Sequence, residues 1–250
     1  PELWRARFAR ADARAALAMG DLDGAQSRIR LARDQTKDPI EQLETRLLQA
    51  ELAERRDDTG RALRIYQAVA RAPVDYLAAP ALLNATRIRF EEGAITPAQA
   101  MASYDSLRFR WRGDATQLAT GRALARLYLT QGRYREALET LRSAGRRLPD
   151  LPEALGLQAD LAATFRGLFL DGLADGLEPV QALALFFDFK DLTPLGVDGD
   201  MMVRRLVRRL VDVALLAQAA DLLAYQVDNR LDGVARAQVA TDLALIYLMD

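Results

Sequence analysis

Pairs of arginines four residues apart are the feature of this sequence best suited to bind a charged ligand. The residues are Arg10 and Arg14, Arg122 and Arg126, Arg204 and Arg208, and a single further arginine, Arg87. Because residues i and i+4 share one face of a helix, each pair would present two guanidinium groups side by side. Arginine meets carboxylates through charge-assisted, often bidentate hydrogen bonds worth roughly 1.5–3 kcal/mol each. These arginines are therefore candidates for binding an acidic ligand.

Two residue types that carry much of enzyme chemistry are missing. The chain has no cysteine, which excludes disulfides, thiolate nucleophiles and zinc–thiolate sites. It has no histidine, the commonest general base and metal ligand. No serine is paired with a lysine, and no isolated pair of carboxylates stands out. We therefore expect no catalytic residue, no cofactor-binding site and no metal site, and we do not expect an enzyme.

Composition and charge are those of an ordinary folded protein. Half of the 250 residues are apolar and 28% are charged, and no apolar run reaches the length that spans a bilayer. Arg204-Arg205-Leu-Val-Arg208-Arg209 is a local basic segment, but the net charge of −1 argues against a broad nucleic-acid-binding surface. The sequence thus predicts neither membrane insertion nor nucleic-acid binding.

One stretch, residues 127–149, carries a recognisable motif. A helical segment ends near Tyr128, Gly132 supplies a tight turn, Tyr134 begins a second helical segment, and Ala137 and Ala144 are small enough for close helix packing. With the proline that follows, this stretch resembles the tetratricopeptide repeat, a pair of antiparallel helices.

Weaker copies of the same motif recur along the chain. The small residue that matches Ala137 is found in each copy: Ala25, Ala62, Ala100, Ala137, Ala182 and Ala219. Successive members are 37, 38, 37, 45 and 37 residues apart. A fixed period between about 20 and 50 residues is typical of stacked repeats, and tetratricopeptide repeats have about 34.

The resemblance implies an all-α fold. We expect an α-α superhelix, a right-handed solenoid of antiparallel helix pairs with about thirteen helices. Residues 1–250 would form a single array of about six repeats and a terminal helix. Residues 1–149 hold the regular repeats, residues 150–200 an irregular fifth repeat with a loop over 191–200, and residues 200–250 a degenerate repeat with the terminal helix.

In this family the first helix of each pair lines a concave groove, and projection from the turns places the seven arginines there. The resemblance therefore implies a non-catalytic module that docks a peptide or helix of a partner protein, with an acidic peptide favoured by the arginines. Glu44, Glu51 and Glu54 fall on the same face and make the groove mixed in charge. The alternative is that the arginines are solvated or pair with nearby carboxylates.

Two further regions are predicted to expose apolar surface. The irregular fifth repeat offers a secondary candidate for partner binding at Phe187 and Leu195. The last helix resembles the first helix of a seventh repeat without its second helix, so either it caps the array by itself, or it packs against another copy, or, as we favour, the chain is cut from a longer protein. Leu243, Ile246 and Tyr247 should then be partly uncovered. An alternative function is self-assembly into a homo-oligomer through exposed repeat faces.

The origin and compartment follow only from indirect signals. Basic residues are almost all arginine, with Lys37 and Lys190 the two lysines, which is typical of a bacterium with a GC-rich genome. The segment from Asp191 to Gly196 resembles loops of large envelope-associated repeat proteins of alphaproteobacteria. Together with the lack of cysteine, this favours the envelope or periplasm over the cytoplasm.

Overall fold

All regular structure in the described part of the chain is helical. The computed structural model describes residues 2–231 and 233–249, which contain thirteen α-helices, one short 3-10 helix and no strand. The predicted all-α class and the number of helices are confirmed. The chain divides into two compact units, residues 1–154 and residues 155–250.

The first unit consists of helices that pack pairwise in sequence order. Its helices are α1 Glu2–Met19, α2 Leu22–Asp34, α3 Pro39–Arg55, α4 Thr59–Val69, α5 Asp75–Glu91, α6 Pro97–Arg110, α7 Ala115–Thr130 and α8 Tyr134–Arg147. Each helix contacts the next one along the chain. This is the arrangement of a tetratricopeptide-like array.

Two helix starts in this unit show how capping residues act, those of α3 and α6. The Asp38 carboxylate accepts hydrogen bonds from the backbone N–H groups of Ile40 and Glu41, both at 2.9 Å, and Pro39 occupies the first helical position. At α6, Thr96 and Gln99 form a reciprocal capping box. Residue type and position therefore account for these two helix starts.

The turns inside the helix pairs share one backbone conformation. The residue at the equivalent position has a positive φ in four successive pairs: Gly20 at 77°, Asp57 at 60°, Gly93 at 70° and Gly132 at 68°. Glycine adopts this left-handed conformation without steric cost, and aspartate tolerates it better than most residues. Asp57 thus replaces the turn glycine of the second repeat without changing the turn.

The small residues that mark the repeats lie where paired helices cross. All six are fully buried, at 0% exposure: Ala25, Ala62, Ala100, Ala137, Ala182 and Ala219. The fourth pair is especially close, because a Cβ added at Gly121 of α7 would lie 3.0 Å from the Cβ of Ala144 on α8. The close packing predicted for Ala25, Ala62, Ala100, Ala137 and Ala219 is confirmed by their burial.

Replacing Ala137 with leucine should destabilise the protein by about 1–3 kcal/mol, because the added atoms must displace the α7–α8 contact. Urea unfolding monitored by circular dichroism measures this change. Ala102→Leu, at an exposed position of α6, is the matched control and should leave stability nearly unchanged. Equal unfolding midpoints for the two variants would contradict the packing argument.

The second unit contains the irregular region. The helices after α8 are α9 Pro152–Phe169, which begins at the end of the first unit, α10 Pro179–Asp188, α11 Val197–Asp212, α12 Leu216–Asn229 and α13 Gly233–Met249. A 3-10 helix, Lys190–Leu192, follows α10. Phe165 and Phe186 are fully buried, and Phe169 packs edge-on against Phe186 with 5.3 Å between ring centroids. These aromatic rings form the core between α9 and α10.

The predicted loop over residues 191–200 is shorter than expected, and this prediction is corrected. Helix α11 already begins at Val197, after Gly196 at φ 83°. Asp198 and Asp200 lie in its first turn, where negative charge favours the helix. Gly199 is required here, since a Cβ would lie 2.0 Å from the Pro194 carbonyl oxygen. The high density of Asp and Gly therefore marks a helix start.

The exposure predicted for the last helix is partly wrong. Tyr247 is 60% exposed, as expected, and Leu243 is half-buried. Ile246 is buried, with 6% exposure, because α13 packs against α12. Packing against α12 therefore buries Ile246 of this helix.

Candidate functional site

The first helices of the pairs in the first unit lie next to one another. In addition to contacts between consecutive helices, α1 contacts α3, α3 contacts α5, and α5 contacts α7. This close approach forms a continuous surface, which we call the inner face. It is the surface on which the predicted groove residues of the first unit should lie.

A pocket of about 430 Å³ opens on the inner face between α1, α3 and α5. Its lining residues include Arg14, Glu44, Glu51, Glu54, Arg55, Tyr66 and Asn84. Two arginines and three glutamates in this lining give a surface of mixed charge. The predicted mixture of charge on this face is therefore present in the lining of the pocket.

Arg10 lies beneath this surface. It is 2% exposed and forms ion pairs with Glu41 and with Glu44, whose Oε2 lies 3.0 Å from the arginine Nη2. Glu41 is also buried, and it accepts a hydrogen bond from Arg7 Nε at 3.0 Å. Burial lowers the pKa of Arg10, and the charge of Glu44 opposes that shift. Arg10 therefore joins α1 to α3, as the ion-pair alternative expects.

Arg87 is likewise engaged within the protein. It pairs with Glu54 on α3 and with Glu91 one turn along α5, where the atoms are 2.9 Å apart. Burial alone would lower the pKa of Arg87, but the two glutamates outweigh it and raise that pKa. The Tyr66 hydroxyl donates to Glu54 at 3.3 Å, and burial, followed by the charge of Glu54, raises the pKa of Tyr66.

Charged and polar groups remain accessible around the same pocket. Arg14 is exposed, and it makes no hydrogen bond or ion pair with the described residues. The Glu51 side chain is 42% exposed, and its ion-pair partner among the described residues is Arg55, at 3.5 Å. Asn84 on α5 adds an amide that can both donate and accept. A bound peptide could meet a cation, an anion and an amide here.

The fourth repeat contributes its pair of arginines to α7. Arg126 is exposed, whereas Arg122 is half-buried and already takes part in interactions within the chain. The binding role predicted for Arg122 and Arg126 stays a prediction, and the structure makes Arg126 the more accessible of the two.

In the second unit, Arg204 and Arg208 are exposed on α11. The next residue after each of them, Arg205 and Arg209, forms hydrogen bonds within the unit. Arg205 donates to the Leu170 carbonyl, and Arg209 Nη1 donates to the Ala174 carbonyl at 3.0 Å. These bonds fix the connection between α9 and α10. In this basic segment, two arginines are therefore exposed to solvent and two are bonded within the protein.

The secondary candidates Phe187 and Leu195 have different surroundings. Phe187 is half-buried and packs edge-on against Tyr225, with 6.1 Å between centroids, and Lys190 Nζ lies 5.8 Å from its ring. Leu195 is 86% exposed. The Phe187 side chain is therefore oriented by contacts within the second unit. Leu195, in contrast, is an exposed apolar residue.

Glu41 is the residue of this site that sequence reasoning missed. The spacing of Arg10 relative to Ala6, Ala9 and Ala13 is a signal that could have revealed it, because these four residues share one face of α1. In the structure this face is buried. A charged residue within a buried stripe requires a buried partner of opposite charge. The neighbouring helix α3 offers Glu41 in its first turn.

Neither a metal-binding cluster nor a membrane-spanning helix is found in the part of the chain that the structure describes. No three acidic, histidine or cysteine residues lie close enough together there to hold a metal ion. No described helix combines the length and the apolar character needed to cross a bilayer.

Comparison with known proteins agrees with the pairing of α7 and α8. Residues 118–161 match the sequence model of the tetratricopeptide repeat family. This chain contains a tetratricopeptide repeat. Such repeats typically mediate protein–protein interactions.

Other comparisons are more distant. The crystal structure of BtubC (BKLC) from P. vanneervenii is similar over 80% of this chain and 78% of that chain, with 19% sequence identity and a TM-score of 0.46. No curated protein matches this chain significantly.

Proposed function

We propose that this tetratricopeptide-repeat protein is a non-catalytic interaction module whose first unit docks a segment of a partner protein on the inner face. The observation that carries the proposal is the pocket of about 430 Å³, which is open and lined by accessible groups of both charge signs. Arg14 and Glu51 are accessible charges of opposite sign, and Asn84 can hydrogen-bond a peptide backbone.

The charges of the inner face support a partner segment of mixed charge. Of the arginines predicted for the groove in the first unit, Arg10 and Arg87 are neutralised by glutamates of α3. Arg14 and Arg126 remain exposed. The inner face therefore favours a segment that carries both charges over a purely acidic one, since Glu51 would repel a run of carboxylates placed beside it.

Photo-crosslinking tests this proposal. A benzophenone amino acid placed at Asn84, on the inner face, should form a discrete adduct with a partner in an extract of the source organism. The same group at the exposed Arg71, beyond the end of α4, is the control and should form no adduct. Exchanging the two accessible charges, Arg14→Glu with Glu51→Arg, should reduce the adduct about tenfold, because both contacts become repulsive. Equal adducts at both positions would contradict docking on the inner face.

Self-assembly is the alternative function, and exposed apolar residues on α1 and α13 favour it. Trp4 and Phe8 are 60% and 66% exposed, and Leu248 is 83% exposed. A discrete oligomer in light scattering over a range of concentrations would support this alternative.

A further inference from the structure

A second pocket of the first unit lies away from the inner face. It has a volume of about 210 Å³ and opens between the end of α6 and the last turns of α8, with α7 beneath it. Arg108, Arg112 and Arg147 line it, together with Phe109, Gln117 and Gly121. We call it the outer basic pocket. None of these residues lines the pocket on the inner face.

The charge of this pocket is positive, and most of it is uncompensated. Its lining contains three arginines and no carboxylate. Arg112 and Arg147 are exposed, and neither makes a hydrogen bond or an ion pair with any described residue. Arg108 forms an ion pair with Asp105, at 3.0 Å, within the described part of the chain. Since the whole chain carries a net charge of −1, this cluster is a local excess of positive charge.

The floor of the pocket is held in place by packing and by a hydrogen bond. The absence of a side chain at Gly121 lets α7 approach Ala144 of α8, because an added Cβ would lie 3.0 Å from the alanine Cβ. Gln117 is buried, and its Oε1 accepts a hydrogen bond from the backbone N–H of Gly113 at 2.8 Å. The amide NH2 of Gln117 is left to donate. The pocket thus presents donors and cations to an anionic ligand.

We propose that the outer basic pocket binds an acidic segment, rich in aspartate and glutamate, of a protein partner. The three arginines come from α6, from the α6–α7 connection and from α8, so they can meet several carboxylates along a segment. The volume far exceeds the roughly 10–15 Å³ that one water molecule requires, so the pocket admits more than a small ion.

Phe109 supports a peptide over a free anion. It is 68% exposed at the rim of the pocket, with the Arg108 guanidinium 5.4 Å from its ring centroid. An apolar ring beside a basic pocket offers a contact to a side chain that neighbours the acidic residues. A nucleic acid would need more aromatic platforms and a wider basic surface than this. The proposal rests on the proposed function only in taking the partner to be a protein.

The test uses the full chain and a defined probe. The probe is a fluorescein-labelled synthetic peptide with a central run of glutamate and aspartate beside a leucine, and its binding is followed by fluorescence anisotropy. Arg112→Glu with Arg147→Glu should weaken binding at least about tenfold, since two charge-assisted contacts become repulsive. Arg5→Glu with Arg71→Glu is the matched control, because it makes the same change in net charge at exposed arginines elsewhere and should bind nearly as the parent.

Further arms separate the alternatives. Phe109→Ala should weaken binding of the peptide severalfold. Binding to the unmodified protein should weaken as the salt concentration is raised. Equal loss in both double variants would overturn the proposal, because binding would then follow net charge alone. Tighter binding of a single-stranded oligonucleotide, or of a phosphoserine peptide, than of the acidic peptide would also overturn it. Arg14→Glu with Glu51→Arg should leave probe binding unchanged, so failure of the inner-face proposal and failure of this one are distinguishable.

Discussion

Replacing Glu41 with alanine is expected to destabilise the protein by about 3 kcal/mol, at the lower end of the range for a broken buried ion pair. The variant leaves the Arg10 guanidinium, which is 2% exposed, with Glu44 as its remaining close counter-charge. Because a buried charge cannot regain its hydration, the loss exceeds that for a surface pair. Urea unfolding monitored by tryptophan fluorescence measures it, since Trp4 and Trp111 both lie in the first unit.

A second variant tests whether the ion pair itself stabilises the fold. Arg10→Met with Glu41→Met removes both charges and keeps the side-chain volume roughly similar, so most of the lost stability should return. The exposed pair Arg33 and Asp34 is the control, and Asp34→Ala should change stability by less than about 1 kcal/mol. If the Glu41→Ala variant unfolds at the same urea concentration as the unmodified protein, the Arg10 guanidinium has access to water, and its burial is not maintained in solution.

Replacing Phe186 with alanine is expected to cost about 3–5 kcal/mol, the range for deleting a fully buried aromatic side chain. Phe186 is 0% exposed, and its ring lies 5.8 Å from that of Phe165 and 5.3 Å from that of Phe169. The deletion leaves a cavity between α9 and α10 that these large rings cannot fill. Circular dichroism, which reports on both units, should show a lower midpoint of urea unfolding.

The neighbouring Phe187 is the matched control for this deletion. It is half-buried and contacts Tyr225 at the edge of the same region, so Phe187→Ala should cost less than half as much. Leu195→Ala, at a position that is 86% exposed, should be close to neutral. Equal losses for Phe186→Ala and Phe187→Ala would mean that the core does not centre on Phe186.

Much of the fold could be predicted because it depends on local rules. The turn residues Gly132 and Asp57 adopt the left-handed conformation that a tight helix–helix turn needs, and Pro39 begins a helix as its position predicts. The small residue at the helix crossing recurs at a nearly constant interval, and each copy is buried. Prediction was poorer between α10 and α11, where Asp and Gly suggested a loop but Asp198 and Asp200 lie in the first turn of α11.

The candidate site could be predicted only as a set of residues on one side of certain helices. The sequence placed Arg10 and Arg14 on one face of α1, because residues four apart share a helix face. It could not show that Arg10 is enclosed by Glu41 and Glu44 whereas Arg14 is exposed, since that depends on how closely α3 approaches α1. The right-handed winding of the whole array stays a prediction.

The sequence by itself determined that the chain is all-helical, that its helices pair in repeats, and that it has neither histidine nor cysteine for catalysis or metal binding. These properties follow from residue type, short-range periodicity and spacing along one chain. Only the tertiary structure decided which charges are neutralised within the chain and which remain exposed. The reason is that the state of a charge depends on residues about thirty positions away, as for Arg10 and Glu41, or on two helices that meet around a third, as for Arg108 and Arg147 above α7.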